Sequence, residues 1–168
     1  MGIVNKSIIK KDAFKVVGIE IDWQSNKEQP SENTIAKTWD AFNERRSEIN
    51  HAVPHQSYGL MRFPEDWKVG DSHKYMACIE VSEFPSELPS GMKTAEIPSY
   101  EYAVLTYQGV IDEIRIANDY LFSEWAPTIK GFHYQFPHYF EFYGKDFTHN
   151  DDPDCIFELW VPIVGKRE

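Results

Sequence analysis

A glutamate set among apolar residues near the end of the chain is the first candidate for chemistry. Glu158 lies in a segment that has the alternation of a β-strand. Successive side chains of a strand point to opposite faces, so Phe157 and Leu159 are predicted on one face and Glu158 and Trp160 on the other. A carboxylate beside an indole in apolar surroundings can attract a cation or serve as a general base.

Other interpretations of the acidic residues stay open at this point. An alternative expectation places Glu158 facing solvent on an edge strand, or in an ion pair with Arg62 or Lys93, because an unpaired buried carboxylate is costly. Glu141 lies in a second alternating segment, and the two glutamates could share a cleft in which like charges raise one pKa. Ordinary strand alternation favours a surface or structural hydrogen-bonding role for Glu141.

Aromatic residues are abundant, with 11 Phe, 9 Tyr and 5 Trp. Those at helical spacing are expected mainly in the core but are also candidates to line a ligand site, and they are Trp39, Phe42 and Trp125. Strand aromatics that carry a polar group suit the walls around a flat ligand, and they are Tyr58, Tyr75, Tyr107, Tyr139 and Trp160. Aromatic walls around one acid predict a site for a lipophilic cation, each cation–π or Coulomb contribution being ~1–2 kcal/mol in a dry site.

Composition excludes several function classes. The net charge of −10 repels phosphate backbones and anionic lipid headgroups, so direct nucleic-acid binding and a membrane partner are not predicted. No metal or cofactor is predicted either, because the acidic loop 149–154 lacks the glycine and final glutamate of a calcium loop and no cofactor motif occurs. No export signal is found, which predicts a cytoplasmic protein with two reduced cysteines.

The elements that would position these residues follow the same order twice. Each half is predicted as strand, helix, strand, strand, which indicates a pseudo-symmetric α+β fold in one domain spanning 1–168. Half one occupies about 12–84, a Pro- and Gly-containing crossover loop about 85–99, and half two about 100–164. The predicted strands are 14–22, 57–63, 74–82, 100–108, 138–143 and 155–163, and the predicted helices are 35–49 and 111–125.

Several motifs in this order resemble one known family. They are Tyr75–Val81, Pro89–Met92, Ile97–Pro98, Tyr102–Leu105, Gly109, Trp125–Pro127, Phe140–Tyr143 and Glu158–Ile163. The chain is similar over about 14–163 to the GyrI-like domain, the effector-binding domain of AraC-type and MerR-type multidrug regulators. The resemblance implies a tandem repeat of two strand-helix-strand-strand modules, with antiparallel sheets and a ligand cleft between the halves.

The resemblance also implies a site and a function. The family's buried glutamate on the last strand corresponds by position to Glu158. Too few residues precede the first predicted strand for a DNA-reading helix pair, so a stand-alone module is expected. The predicted function is binding of lipophilic, cationic or aromatic small molecules, by a monomer or a homodimer. The alternatives are a hydrolase of strained cyclopropane-bearing natural products that uses Glu158 as general base, and an inhibitor of a protein partner such as a topoisomerase.

Overall fold

The computed structural model describes residues 2–24 and 33–163. Strands in these residues form one eight-stranded sheet in the order β1-β6-β8-β7-β3-β4-β2-β5. The strands are β1 Gly2–Lys11, β2 Phe14–Trp23, β3 Ala52–Arg62, β4 His73–Val81, β5 Lys93–Ile97, β6 Tyr100–Gln108, β7 His138–Tyr143 and β8 Ile156–Ile163. The helices are α1 Thr34–Arg45 and α2 Ile114–Tyr120, and a π-helical turn, Leu121–Trp125, extends α2. None of the described helices is long and apolar enough to cross a membrane.

The sheet confirms the predicted α+β repeat. Strands β2, β3 and β4 of half one lie in the order β3-β4-β2, and β6, β7 and β8 of half two lie in the matching order β7-β8-β6. The halves join through the antiparallel pair β3–β7, in which Gly59 lies opposite Glu141. Every strand pair is antiparallel, so the sheets of the two modules merge edge to edge into one.

The two outer strands were missing from the sequence-based prediction. Strand β5 lies inside the predicted crossover loop 85–99, and β1 precedes the first predicted strand. Their patterns are weak because edge strands bury little: in β5 only Ala95 and Ile97 are buried, and no residue of β1 is. The predicted helix 35–49 also ends early, at Arg45.

The outer strands are exchanged between the halves. Strand β1 directly precedes β2 in the chain but pairs with β6, and β5 directly precedes β6 but pairs with β2. Each two-residue link spans at most about 11 Å. The sheet therefore curls until its two ends approach each other. Phe14 of β2 and Phe140 of β7, three strands apart, accordingly bring their ring centroids to 5.6 Å.

Curling gives the sheet two different faces. On the helix face, defined here as the side that α1 and α2 cover, α1 packs on half one through Phe42, and α2 packs on half two through Ala117. On the inner face, the side toward which the sheet curls, one aromatic-rich cluster draws residues from both halves. Its members include Phe14, Val16, Tyr58, Met76, Tyr102 and Phe140.

Candidate functional site

Glu141 lies near the centre of the helix face, in the middle of β7. The residue is only 9% exposed. The Tyr75 hydroxyl donates a hydrogen bond to Oε1 of Glu141 at 2.7 Å, and the Tyr143 hydroxyl donates to the same oxygen at 2.9 Å. No described residue donates to the other oxygen, Oε2, and no described basic side chain pairs with this carboxylate. Within residues 2–24 and 33–163, Glu141 is therefore a buried acid without a counter-charge.

A glycine makes room for this arrangement. Gly59 of β3 lies directly opposite Glu141 in the strand pair. A Cβ atom at position 59 would overlap both Oε1 of Glu141 and the Tyr75 hydroxyl. Glycine in a strand interior weakens the strand and commonly marks a close approach of other groups. Here the approaching groups are the carboxylate and its tyrosine donor.

Trp39 extends the hydrogen-bonded chain from the sheet to α1. Its indole Nε1 donates to the Tyr75 hydroxyl at 2.8 Å, and its ring meets the Tyr143 ring edge-on with centroids 5.4 Å apart. Hydrogen bonds thus lead from the Trp39 indole to the Tyr75 hydroxyl and from that hydroxyl to the Glu141 carboxylate, to which the Tyr143 hydroxyl also donates. Tyr75 of β4 and Tyr143 of β7 donate to one carboxylate oxygen, and Trp39 of α1 is linked to it through Tyr75, so the set draws on both halves.

An aromatic wall continues from Glu141 toward α2. Tyr139 lies on the same face of β7, two residues before Glu141, and its ring is nearly parallel to that of Phe63 at 5.9 Å. Phe122, in the extension of α2, meets Tyr139 edge-on at 5.3 Å. Because Tyr143 contacts α1 and Tyr139 contacts the α2 extension, Glu141 lies between the two helices. These rings are half-buried, so part of each stays accessible.

Burial dominates the electrostatics of the site. It raises the pKa of Glu141 to about 7, against the opposing effect of the hydrogen bonds from Tyr75 and Tyr143. Burial and the nearby carboxylate also raise the pKa of both tyrosines well above the usual value, so they remain donors. At neutral pH Glu141 is therefore divided between its acid and its carboxylate. The site can hold a cation in one form and exchange a proton in the other.

Glu158 lies on the opposite face of the sheet. The Trp160 Nε1 donates to its Oε1 at 2.9 Å, and the Thr106 hydroxyl lies 3.4 Å from its Oε2. It borders an open groove of about 390 Å³ that His55 and Lys145 also line. As predicted, Glu158 and Trp160 share one face, and Phe157, Leu159 and Val161 pack on the α2 side.

The two glutamates do not share a cleft. Glu158 is the register partner of Phe142, one residue beyond Glu141, and an offset of one residue turns a side chain to the other face. Arg62, a predicted alternative partner of Glu158, instead forms an ion pair with Glu20. The carboxylates of Glu141 and Glu158 therefore lie on opposite faces of the sheet.

The structure divides the predicted site residues among three places. Four surround the Glu141 carboxylate on the helix face or belong to it: Trp39, Tyr75, Tyr139 and Glu141. Three belong to the inner face: Tyr58, Glu158 and Trp160. Three serve the cores under the helices: Phe42, Tyr107 and Trp125.

Two residues beside the Glu141 carboxylate were missing from the predicted set. They are Tyr143 and Gly59. Tyr143 follows the alternation of Tyr139 and Glu141, so the pattern predicts that it lies on the same face of β7 as these two residues. The signal for Gly59 was a glycine inside a strand. Among the described residues no group of three His, Cys, Asp or Glu is placed to hold a metal ion.

Comparison with solved structures identifies the fold. An integron cassette protein from the mobile metagenome of Vibrio cholerae, VCH_CASS2, has a TM-score of 0.70 at 15% identity, covering 96% of this chain and 97% of that chain. SAV2435, solved bound to tetraphenylphosphonium, has a TM-score of 0.68 at 17% identity over 96% and 95%. The EcmrR C-terminal domain has a TM-score of 0.65 at 13% identity over 94% and 96%. The fold is that of the GyrI-like effector-binding domains, which confirms the predicted resemblance.

Sequence comparison then gives the family. The family described as integron-associated effector binding protein, Cass2, matches residues 7–163. The match covers most of the chain, so this protein belongs to that family and is a member of a small-molecule-binding class. A search among curated proteins finds no significant match.

Proposed function

We propose that this protein binds lipophilic cations with aromatic rings on the helix face, with Glu141 as the anionic anchor. The observation that carries the proposal is a buried carboxylate that accepts two tyrosine hydroxyls and has no cationic partner among the described residues. An ionised carboxylate out of water is costly unless a cation meets it. A ligand that brings the missing charge gains the attraction and offsets that cost.

The aromatic surroundings define the ligand further. Half-buried rings of Trp39, Tyr139 and Tyr143 flank the carboxylate, and aromatic faces attract cations. The net charge of −10 raises the local concentration of cations around the protein. SAV2435, of similar fold, was solved with tetraphenylphosphonium, a lipophilic cation with four phenyl rings. This makes tetraphenylphosphonium a suitable probe.

Calorimetry with tetraphenylphosphonium tests the proposal on the wild type and on two matched variants. Glu141→Gln keeps the shape and removes the charge, so affinity is expected to fall by about 1–3 kcal/mol, or roughly 5- to 150-fold. Glu158→Gln makes the same change on the opposite face and is expected to alter affinity less than about twofold. Circular dichroism checks that both variants fold.

Two results would contradict the assignment. A large loss in Glu158→Gln with none in Glu141→Gln would move the anchor to the groove beside Glu158, as the family resemblance first suggested. Equal binding of triphenylphosphine oxide, a neutral molecule with similar rings, would show that charge plays no part. Absence of binding to either probe at millimolar concentration would contradict the ligand class itself.

A second candidate function rests on the pKa of the same residue. A carboxyl group with a pKa of about 7 is suited to general-base catalysis, since it can accept a proton from water near neutral pH. Hydrolysis of a strained, cyclopropane-bearing natural product would use Glu141 in that role. Product analysis by mass spectrometry decides between the two: turnover that Glu141→Gln abolishes supports hydrolysis, and saturable binding without product supports the binding function.

A further inference from the structure

The two oxygens of the Glu141 carboxylate have different surroundings. Oε1 accepts the hydroxyl of Tyr75 at 2.7 Å and that of Tyr143 at 2.9 Å. Oε2 accepts no hydrogen bond from any residue in 2–24 or 33–163. A carboxylate oxygen has two lone pairs and no proton to donate, so the two hydroxyls fill Oε1 and leave the acceptor capacity of Oε2 unused. An unused acceptor on a buried carboxylate is costly until a donor meets it.

Oε2 is also the oxygen that a ligand can reach. Glu141 as a whole is 9% exposed. In the described part of the chain, the fully buried side-chain nitrogen and oxygen atoms that lack a hydrogen-bond partner are Trp23 Nε1, Arg62 Nε and Asn118 Oδ1. Oε2 of Glu141 lacks a described partner too but is not one of these atoms, so it retains contact with solvent. The free acceptor is therefore on the accessible side of an otherwise buried carboxylate.

The hydrogen-bonded tyrosines hold the carboxylate in this orientation. Tyr75 is itself fixed, because the Trp39 indole donates to its hydroxyl at 2.8 Å. The Tyr143 ring packs edge-on against the Trp39 ring. Rotation of the carboxylate would break both hydrogen bonds to Oε1. The site thus presents one oriented acceptor to a ligand.

Aromatic rings lie next to this acceptor. Burial, and after it the charge of Glu141, raises the pKa of Tyr139 above its ordinary value, which shows that the phenol and the carboxylate are close. Tyr139 belongs to the aromatic wall, in which its ring contacts those of Phe63 and Phe122. A ligand whose charged atom meets Oε2 therefore has aromatic surface within reach on the side of α2.

An oriented free acceptor distinguishes between two kinds of lipophilic cation. The N–H of a protonated amine brings its nitrogen to about 2.7–2.9 Å from a carboxylate oxygen. A quaternary ammonium or phosphonium centre carries only carbon substituents, and carbon meets oxygen at about 3.3–3.6 Å, so the charged atom stays farther away. The Coulomb attraction falls with that distance, and Oε2 is left without a donor.

We propose that Oε2 of Glu141 accepts a hydrogen bond from the N–H of a protonated amine, so that the site selects aromatic amines over quaternary cations with the same rings. This inference rests on the proposed function, since it takes Glu141 as the anchor for cations. It adds the chemical class of the ligand: an amine that carries a proton to donate as well as a charge.

Calorimetry with a matched pair of probes tests the selection. N,N-Dimethyl-3,3-diphenylpropylamine and its N-methylated quaternary salt have the same rings and the same charge, but only the amine has an N–H. At pH 8, above the pKa of about 7 of Glu141, the carboxylate is mostly ionised and an alkyl amine is still protonated. The wild type is expected to bind the amine at least about fivefold more tightly. Equal affinities, tighter binding of the quaternary salt, or binding of neither probe would overturn the proposal.

Two variants locate the selection. In Glu141→Gln the amide oxygen is the only acceptor, and the tyrosine hydroxyls need it, so the amide NH₂ group takes the place of Oε2 and faces the N–H of the ligand. The preference for the amine is expected to disappear in this variant and to persist in Glu158→Gln, which circular dichroism must show to be folded. A preference that Glu141→Gln retains would overturn the proposal.

The same data distinguish this inference from the function on which it rests. Equal wild-type affinities that both fall in Glu141→Gln would overturn the selection of amines and leave Glu141 as the anchor for cations. Affinities for both probes that Glu141→Gln leaves unchanged would contradict the inference and the proposed function together.

Nuclear magnetic resonance of the bound amine tests the hydrogen bond without a variant. With nitrogen-15 in the amine, the N–H proton of the saturated wild-type complex is expected to exchange with water more slowly than in the free probe, because Oε2 accepts it in a nearly dry position. An N–H proton that exchanges as fast in the complex as in the free amine would overturn the proposal.

Discussion

Glu141 and Glu158 lie on neighbouring strands, one register step apart, yet they have different surroundings. Glu141 faces the helices and is held by two tyrosine hydroxyls in a nearly dry position. Glu158 faces the other way, accepts the Trp160 indole and borders an open groove. Both are flanked by apolar and aromatic residues in the sequence. The face of the sheet, and what covers that face, therefore decides what a strand glutamate can do.

The cover on the helix face comes from both modules. Trp39 on α1 contacts Tyr143, and Phe122 in the α2 extension contacts Tyr139. The pseudo-symmetric fold thus places one helix on each side of Glu141. On the inner face the sheet covers itself by curling, and the rings there pack into a common core. The proposed ligand site on the helix face thus lies between the two modules.

The largest expected difference between the two glutamates is in stability as pH changes. Because the folded pKa of Glu141 is raised to about 7 from 4.5, the folded protein binds the proton more tightly than the unfolded chain. The contribution of Glu141 to the free energy of unfolding is fully present below about pH 4.5. It is lost as pH rises through about 7, by up to about 3 kcal/mol. Denaturant unfolding of wild type and Glu141→Gln across this range measures the difference.

His138 makes the comparison with the variant necessary. Burial lowers the pKa of His138 to about 4, so its contribution has the opposite slope, being lost as pH falls through that value. Subtracting the unfolding free energy of Glu141→Gln from that of the wild type at each pH removes the contribution of His138, which both proteins share. Glu158→Gln retains Glu141 and is expected to retain its slope. A wild type and Glu141→Gln with parallel curves would contradict the raised pKa.

Affinity for a cation is expected to rise with pH, whereas the contribution of Glu141 to stability falls with pH. The proposed site holds a cation only when Glu141 is ionised, so affinity for tetraphenylphosphonium should rise about tenfold between pH 6 and pH 8. Binding at pH 6 should release a proton, which calorimetry in buffers of different ionisation enthalpy detects. The dependence should vanish in Glu141→Gln. A wild-type affinity that does not change between pH 6 and pH 8 would show that binding does not depend on the ionisation of Glu141.

The smallest expected effect comes from the indole donors on the two faces. Trp39→Phe keeps a ring beside Tyr143 but removes the hydrogen bond to Tyr75, so affinity for tetraphenylphosphonium should fall about two- to fivefold. Trp160→Phe removes the matching donor to Glu158 and should leave affinity unchanged. Equal losses in the two variants would mean that the faces are coupled, which the proposal does not include.

The sequence predicted much of the fold because its inner strands are strongly patterned. The bounds of β6 and β7 match the predicted 100–108 and 138–143. The two strand-helix-strand-strand modules followed from the repeated order of these patterns. Strands β1 and β5 escaped prediction because they bury few side chains and so carry weak periodicity. Edge strands are fixed by the neighbour with which they pair, and that neighbour is distant in the chain.

For the site, the sequence by itself determined the faces and the chemistry of individual strands. Alternation alone set Tyr139, Glu141 and Tyr143 on one side of β7, and Glu158 with Trp160 on one side of β8. Only the tertiary structure decided which carboxylate becomes dry and surrounded by donors. The register of β3 against β7 sets Gly59 opposite Glu141, and the packing of α1 delivers Trp39 to Tyr75. These contacts join residues far apart in sequence, and local patterns do not encode how such segments meet.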